Sequence, residues 1–415
     1  MKIGVISLVS DVHDARSIDR VSAPLLNALK ESFDLEEIET ADLARVDLPM
    51  VFIKTGGTEH KFVNIAPKLV ETGKPVTLLA GDSNNSLPAA LEILAWANKK
   101  GLKNCLLLHG PIEVLKEKLT KRIADIKITE TLKRTVIGVL GKPSDWLIAS
   151  HVDYKEVKDR WGVSIIDIDM EEVKSNIDKF SESGALEIHS AFPNAQFKQG
   201  VTVKMIMDAV KIYLGIKKTI SDYRLTALTL RCFDLLEPLN NTGCLALSRL
   251  NDEGISAGCE GDIPALFTMI INRLITGKAS FMANPSRIDE NAVTLAHCSV
   301  PMSIVESFGF TTHFESGKGV AIAGKFRQGA VTVAKIQGPA LDRFYVDEGI
   351  LTGSPESAVL CRTQVTIKMS HGTGYFLEAP LGNHHIVAGG NHARRFKEVM
   401  NLAAGPRAED FSPGL

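Results

Sequence analysis

Cysteine is scarce in this sequence, and its spacing excludes the common cysteine-based sites. The six cysteines form no CxxC pair, so the pattern favours neither a zinc ribbon nor a disulfide framework and indicates reduced thiols in a cytoplasm. The chain also lacks the GxGxxG and GxxxxGKS/T motifs. Their absence removes the usual basis for predicting a dinucleotide or P-loop site.

Excess positive charge and long apolar runs are absent as well. The formal net charge is −2, whereas proteins that bind nucleic acids or membrane surfaces need a basic excess. No apolar run approaches the roughly 20 residues that span a bilayer, and the amino terminus shows no signal-peptide cleavage pattern. We therefore expect a soluble cytoplasmic protein that has neither a nucleic acid nor a membrane as partner.

Up to about residue 216, the sequence contains short aliphatic runs that alternate with helical patterns. This alternation predicts parallel, doubly wound sheets. It restarts near residue 135, so we predict two N-terminal α/β domains, residues 1–133 and 134–216. Ligands bind such sheets beyond the carboxyl ends of the strands, and the polar turn Thr55-Gly56-Gly57-Thr58 follows one of the predicted strands.

Residues 217–415 show a different pattern, which predicts a C-terminal α+β domain. Small residues between positions 243 and 259 indicate loops, and an apolar helix is predicted over Ile263–Thr276 with Gly277 as its C-cap. After residue 290, alternating runs separated by glycine and proline predict an antiparallel, barrel-like sheet, including a strand at residues 374–377. The predicted fold class is therefore α/β, with elements allowed to cross between the three domains.

The densest polar cluster is Gly258-Cys259-Glu260-Gly261-Asp262, directly before the apolar helix. Carboxylates are stabilised at a helix N-terminus by the free amides and the helix dipole. Asp262 is placed equally well to cap the helix or to serve a site. Glu260 lies further out, and its small neighbours leave room for a ligand or a metal ion, so we predict a site role for it.

Histidine and asparagine provide the other candidate groups. His384 and His385 follow one another, and neighbours on a strand face opposite sides, so only one of the pair is expected to line a pocket. Asn284 precedes a proline, which is typical of a turn, and a position at a strand end beside a site is the alternative. His297 ends a predicted strand, where a backbone partner is the alternative to a site role.

One known family resembles the chain in several of these segments. The L-fucose and L-arabinose isomerase superfamily, and most of all its shorter fucose-isomerase-like proteins, is similar in Cys259-Glu260-Gly261-Asp262, Leu274-Ile275-Thr276-Gly277-Lys278, Phe281-Met282-Ala283-Asn284 and Gly382-Asn383-His384. The resemblance covers most of the chain and implies the same three-domain fold. It also implies an aldose–ketose isomerase with a divalent metal ion, usually manganese, held by a glutamate, an aspartate and a histidine.

Carried over by motif, the resemblance implies Glu260 and His384 as metal ligands and Asn383 as a substrate contact. The aspartate is expected 24 residues after the glutamate, where this chain has Asn284 (284 − 260 = 24). An amide oxygen can bind a hard cation but cannot act as a base. We therefore predict Asn284 as a ligand and assign the acid–base chemistry to other residues.

The implied reaction moves a proton between C1 and C2 of a sugar through an enediol. Such a reaction needs a base above the carbon, an acid for the oxygen and a cation that polarises the oxygens. Glu260 is the predicted base, Asp262 and His297 are candidate acids, and Mn²⁺ or Mg²⁺ is the predicted cofactor.

Thr55, Gly56 and Gly57 are predicted to bind the far end of the carbohydrate substrate. In the family such loops often come from a neighbouring subunit, which implies a homo-oligomer, a trimer or a hexamer. Two alternatives stay open. The first is a metal-assisted lyase or aldolase, which the amide at Asn284 leaves open. The second is a non-catalytic sugar-binding protein that retains the fold, although such a protein would have no need of both Glu260 and His384.

Overall fold

The structure is a computed structural model, and it describes residues 1–415 except 101, 103–104, 182–195, 198–199, 404–406 and 415. The described residues form two compact units, Met1–Ile128 and Thr129–Leu415. None of the described helices is both long enough and apolar enough to cross a bilayer.

The first unit is built on a parallel sheet of five strands: β1 (Ile3–Leu8), β2 (Leu35–Glu37), β3 (Leu48–Ile53), β4 (Thr77–Ala80) and β5 (Leu106–Leu108). Its helices are α1 (Ala15–Lys30), α2 (Glu59–Glu71), α3 (Ser86–Lys99) and α4 (Ile112–Lys133), which continues into the second unit. The strand order β2-β1-β3-β4-β5 is that of a doubly wound sheet. The turn with Thr55 follows β3, beside β1, where the strand order reverses.

The second unit opens with a parallel sheet of four strands, β6 (Val136–Leu140), β7 (Ser164–Ile168), β9 (Ala227–Leu230) and β10 (Ser256–Cys259), in the order β10-β9-β6-β7. Its helices are α5 (Tyr154–Trp161), α6 (Met170–Asp178), α7 (Val203–Tyr223), α8 (Leu236–Leu239) and α9 (Cys244–Asp252). The prediction of parallel α/β sheets is confirmed. Two strands of this sheet precede residue 216 and two follow it.

The prediction of loops between residues 243 and 259 is wrong, because α9 and β10 occupy most of this segment. The small residues that indicated loops are buried instead, among them Ala246, Ser248 and Ala257. Small side chains let α9 and β10 pack closely against their neighbours, so here they serve tertiary packing rather than chain flexibility.

The second unit also contains a closed antiparallel barrel of six strands: β11 (Phe281–Ile288), β12 (Ala292–His297), β15 (Gly329–Gln337), β16 (Arg343–Gly353), β17 (Thr363–Met369) and β18 (His385–Gly389). They pair in the order β15-β18-β11-β12-β17-β16, and β16 pairs back with β15. β8 (Gln196–Phe197), β13 (Ser307–Thr311) and β14 (Ala321–Lys325) form a small sheet, and β19 (Glu409–Asp410) pairs with β16. The predicted barrel-like sheet is confirmed.

Two faces of the barrel strands are buried in different cores. Phe281 and Val387 belong to one core with other residues of the barrel strands, whereas Met282 and Ile386 belong to the core of the four-stranded parallel sheet. Since alternate residues of a strand share a face, β11 and β18 turn one side toward the parallel sheet. The candidate site lies on this side.

The helix α10 (Ile263–Thr276) connects the parallel sheet to the barrel, and two more short helices lie in the barrel region. The predicted apolar helix is confirmed as α10, which ends at Gly277 with a φ of 69°. The strand predicted at residues 374–377 is wrong, because this segment forms α11 (Gly374–Glu378), before α12 (Ala393–Met400). Its aromatic residues favour a strand locally, but Tyr375 and Phe376 pack against the barrel core from a single helical turn.

Candidate active site

Glu260 lies in the short connection between β10 and α10. Its φ of 61° and the φ of 72° at Gly261 are both left-handed, a conformation that is unfavourable for a residue with a side chain. A Cβ on Gly261 would lie 2.7 Å from the carbonyl oxygen of Lys142 and from Cα of Pro143. Glycine is therefore required at position 261, and the tight connection points the Glu260 carboxylate into the site.

The two carboxylate oxygens of Glu260 have different partners. Oε2 accepts a hydrogen bond from the Trp146 indole Nε1 at 2.6 Å. Oε1 lies 3.4 Å from His384 Nε2 and 3.7 Å from His297 Nε2. The side chain of Glu260 is almost completely buried, so these three groups constitute most of its polar environment.

His384 is fully buried directly before β18. Its Nδ1 lies 2.8 Å from Asp262 Oδ2, and because a carboxylate only accepts, Nδ1 donates. Nε2 is buried, faces Glu260 and has no hydrogen bond. A carboxylate that binds one ring nitrogen and leaves the other free is the arrangement that orients metal-binding histidines.

Asp262 combines the two roles that its sequence position allowed. Its Oδ1 accepts from the Ala265 N–H at 2.8 Å and caps α10, while Oδ2 accepts from His384. The Lys335 Nζ lies 3.6 Å from Oδ2, and both of these side chains have zero exposure. Asp262 therefore has no surface through which it could touch a substrate.

The electrostatics of this cluster follow from these contacts. Burial alone would raise the pKa of Asp262, but Lys335 and His384 outweigh it and lower the pKa to about 2. Burial opposes the charged form of His384, yet Asp262 and Glu260 raise its pKa to about 9. Burial also opposes ionisation of Glu260, but His297 and His384 hold the pKa of Glu260 well below its usual range.

His297 and Asn284 complete the cluster. His297 ends β12, and its Nδ1 lies 2.9 Å from Ser299 Oγ, which leaves Nε2 directed at Glu260. Ala283 of β11 pairs with His385 of β18 in an antiparallel register. Asn284, the next residue along β11, therefore lies beside His384. The amide oxygen of Asn284 is buried and has no hydrogen bond.

The donor set fits a divalent metal ion. Glu260, His297 and His384 offer ligand atoms that all lie within 4.8 Å of one another, and they are the one such cluster among the described residues. Two ligands with bonds of about 2.1 Å to one ion lie about 3 Å apart at right angles and about 4 Å apart when opposite. The distances of 3.4 and 3.7 Å lie in this range, and no hydrogen bond occupies the His384 Nε2.

The other predicted site residues lie outside this cluster. Asn383 is exposed, and its backbone oxygen is 2.8 Å from His385 Nδ1. His385 turns to the opposite side from His384, where its Nε2 lies 3.1 Å from the Tyr375 hydroxyl. Thr55, Gly56 and Gly57 belong to the first unit, and their role in substrate binding stays a prediction.

Trp146 and Lys335 are the residues of the site that the sequence analysis missed. Trp146 lies in the turn that begins with Gly141-Lys142-Pro143 after β6, 114 residues before Glu260, and no local pattern connects the two positions. Lys335 offered a signal, since it is the only charged residue in β15 and lies between Ala334 and Ile336. A charged residue inside such a strand indicates a buried partner.

Comparisons with known proteins find similarity to sugar isomerases. A family model described as the L-arabinose isomerase central domain matches residues 146–276. The sulfoquinovose isomerase of Priestia megaterium (strain ATCC 12872 / QMB1551) is 27% identical over 237 residues, which cover 54% of this chain and 52% of that protein. That of Alkalicoccus urumqiensis is 26% identical over 203 residues, 46% of this chain and 44% of that protein.

These matches support a relationship to the L-fucose and L-arabinose isomerase superfamily at modest identity. The chain spans about half the length of the relatives it matches. The segment that matches the L-arabinose isomerase central domain, residues 146–276, contains Trp146, Glu260 and Asp262, whereas His297 and His384 lie beyond it. The matched region thus contains the carboxylate side of the cluster, and the barrel adds both imidazoles.

Proposed function

We propose that the protein is an aldose–ketose isomerase that uses a divalent metal ion held by Glu260, His297 and His384. The cluster of one carboxylate and two imidazoles, with the buried His384 Nε2 unpaired, is the observation that carries the proposal. Similarity to the L-arabinose isomerase central domain supports it, as do relatives named sulfoquinovose isomerase. The unpaired oxygen of Asn284 makes it the proposed fourth ligand.

The roles of the chain's own residues follow from burial and contacts. We assign proton transfer between C2 and C1 to Glu260, because its carboxylate keeps a small exposed surface whereas that of Asp262 has none. Asp262 is fully buried, so it acts through His384, whose ring it orients, and not on the sugar. His297 directs Nε2 at the same carboxylate and is proposed as a ligand. When bound, the metal ion would polarise the carbonyl and hydroxyl oxygens of the sugar.

Several finer assignments are part of the same proposal. Mn²⁺ or Mg²⁺ is the proposed metal, and the substrate is a sugar whose class includes sulfoquinovose, because the relatives are named for it. Thr55, Gly56 and Gly57 are proposed to contact the far end of the sugar. The superfamily resemblance supports a cytoplasmic homo-oligomer, a trimer or a hexamer, which light scattering after size exclusion would measure.

Solvent proton exchange tests the reaction. The protein is incubated in D₂O with Mn²⁺ and a panel that contains L-fucose, L-arabinose and sulfoquinovose, and NMR follows the proton at C2 and the ketose signals. Glu260→Gln is expected to slow exchange about 10²- to 10⁴-fold, the usual contribution of a general base. Glu306→Gln is the matched control, because Glu306 pairs with Arg327 on an exposed surface. Equal rates in both variants contradict the role of Glu260.

A lyase or aldolase is the second candidate, and Asn284 is the observation that favours it. An amide in place of the superfamily's aspartate removes a group that accepts protons. If the wild-type protein binds Mn²⁺ but exchanges no proton of any sugar in the panel, the isomerase proposal is wrong. Cleavage of the sugar skeleton, visible in the same spectra as new aldehyde or ketone products, would then support the lyase.

A further inference from the structure

The loop after β6 is fastened to Glu260 at two points. The Ser144 N–H donates to the backbone oxygen of Glu260 at 2.9 Å, and the Trp146 N–H donates to its side chain. Arg231, directly after β9, anchors the same loop by donating to the Pro143 backbone oxygen at 3.0 Å and to the Asp145 carboxylate at 2.8 Å. The loop is therefore positioned relative to the carboxylate and does not merely lie beside it.

The Trp146 ring is also held in a fixed orientation. It meets Phe233 edge to face, with ring centroids 5.1 Å apart and an interplanar angle of 80°. Phe233 in turn meets His313 edge to face at 5.6 Å. Packing of this kind restricts rotation of the indole, so its N–H stays directed at Oε2.

A purely structural role would not account for this tryptophan. Half of its surface is exposed, which is unusual for a residue that serves only to fill a core. The protein offers a contrast in Trp161, which is 4% exposed, donates to the Ala340 backbone oxygen at 3.0 Å and packs against Phe267. The indole Nε1 of Trp146, its only polar side-chain atom, instead donates to a carboxylate of the candidate site.

We infer that Trp146 is a positioning residue of the metal site: its indole N–H holds Oε2 of Glu260 and thereby directs Oε1 toward His297 and His384. This inference rests on the proposed function. Hydrogen bonds to a carboxylate are roughly twice as strong as those between neutral groups. A carboxylate with both oxygens free can rotate or bind in a bidentate way, whereas one with Oε2 engaged presents a single oxygen in a fixed direction.

Metal affinity in two tryptophan variants tests the inference. Mn²⁺ affinity is measured by competition with a fluorescent chelator for wild type, Trp146→Phe and Trp161→Phe. Phenylalanine preserves the edge contact with Phe233 but cannot donate, so Trp146→Phe is expected to weaken Mn²⁺ binding about 10- to 100-fold, the usual effect of removing a group that orients a ligand. Trp161→Phe loses an indole hydrogen bond elsewhere and is expected to retain wild-type affinity. Equal affinity in all three proteins overturns the inference.

A spectroscopic measurement keeps the inference testable if Trp146→Phe folds poorly. The chain has three tryptophans, so Trp96→Phe combined with Trp161→Phe leaves Trp146 as the sole indole. Its emission is expected to change with Mn²⁺ along the same saturation curve as the chelator assay, and not to change once Glu260→Gln is added. Unchanged emission while Mn²⁺ binds overturns the inference alone. Absence of Mn²⁺ binding to the wild-type protein overturns the proposed metal site and the inference together.

Discussion

A proton on His384 competes with the metal ion, and this competition sets the pH dependence of binding. Burial opposes the charged ring, but Asp262 and Glu260 raise the pKa of His384 to about 9 in the metal-free protein. An imidazolium has no lone pair at Nε2, so below this pKa metal binding must displace a proton. Glu260 adds no such requirement, because its pKa is already lowered and it is ionised at neutral pH.

We therefore expect the apparent Mn²⁺ affinity to rise roughly tenfold per pH unit between about pH 6.5 and 8.5, and to level off near the pKa of His384. Titration calorimetry in two buffers of different ionisation enthalpy should show about one proton released per metal ion at pH 7. His392→Asn is the control, since this ring contacts the Gly389 backbone oxygen outside the cluster. Affinity that is constant over this range contradicts the assignment of His384.

At the scale of residues, sequence patterns identified groups whose chemistry is visible locally. Glu260 was recognisable from its small neighbours, and His384 from an adjacent pair of histidines that must face opposite sides. Trp146 was not recognisable, because its importance comes from a contact across 114 positions. The apolar neighbours of Lys335 led to the prediction of a strand and gave it no site role. Its buried charge is balanced by Asp262, which lies far away in the sequence.

At the scale of elements, α10 links helix stability to the site through Asp262. One carboxylate oxygen caps the helix and the other orients His384. Serine is a good N-cap but cannot reproduce the second contact, whereas alanine reproduces neither. We expect Asp262→Ser and Asp262→Ala to weaken Mn²⁺ binding by a similar 10- to 100-fold, with Asp262→Ala less stable than Asp262→Ser by about 1 kcal/mol.

Urea unfolding and the chelator competition measure the two effects on the same samples. Both variants remove the partner of Lys335 equally, so the difference between them isolates the cap. If Asp262→Ser retained wild-type metal affinity, Asp262 would be only a helix cap. If the two variants were equally stable, the contact with Ala265 would contribute nothing to α10.

The elements that the sequence predicted well are those whose conformation is determined by nearby residues. The apolar helix with Gly277 after it and the antiparallel, barrel-like sheet are both present as the patterns predicted. The predictions for the segments around Ala246 and Tyr375 were wrong, because small and aromatic side chains have weak local preferences that tertiary packing overrides. Barrel closure, the pairing of β15 with both β16 and β18, is a long-range property that no local pattern contains.

At the scale of the whole molecule, the described cluster lies in the second unit, residues 129–415, while Thr55, Gly56 and Gly57 lie in the first. This separation predicts different responses to metal and to sugar. A ligand stabilises the residues that must fold to bind it, by about 2.7 kcal/mol when its concentration is 100 times its dissociation constant. Mn²⁺ is therefore expected to protect backbone amides near Glu260, His297 and His384, and to leave the first unit unchanged.

Hydrogen exchange read by mass spectrometry measures both responses. Mn²⁺ alone should slow exchange by up to about 100-fold in peptides that open only with the second unit, and the Glu260→Gln variant should lose this effect. Adding sugar to the metal-bound protein should then slow exchange at residues 55–58, because their proposed contacts are made to the sugar. If sugar protects the barrel loops but not this turn, the proposed role of Thr55, Gly56 and Gly57 is wrong, while the metal cluster is unaffected.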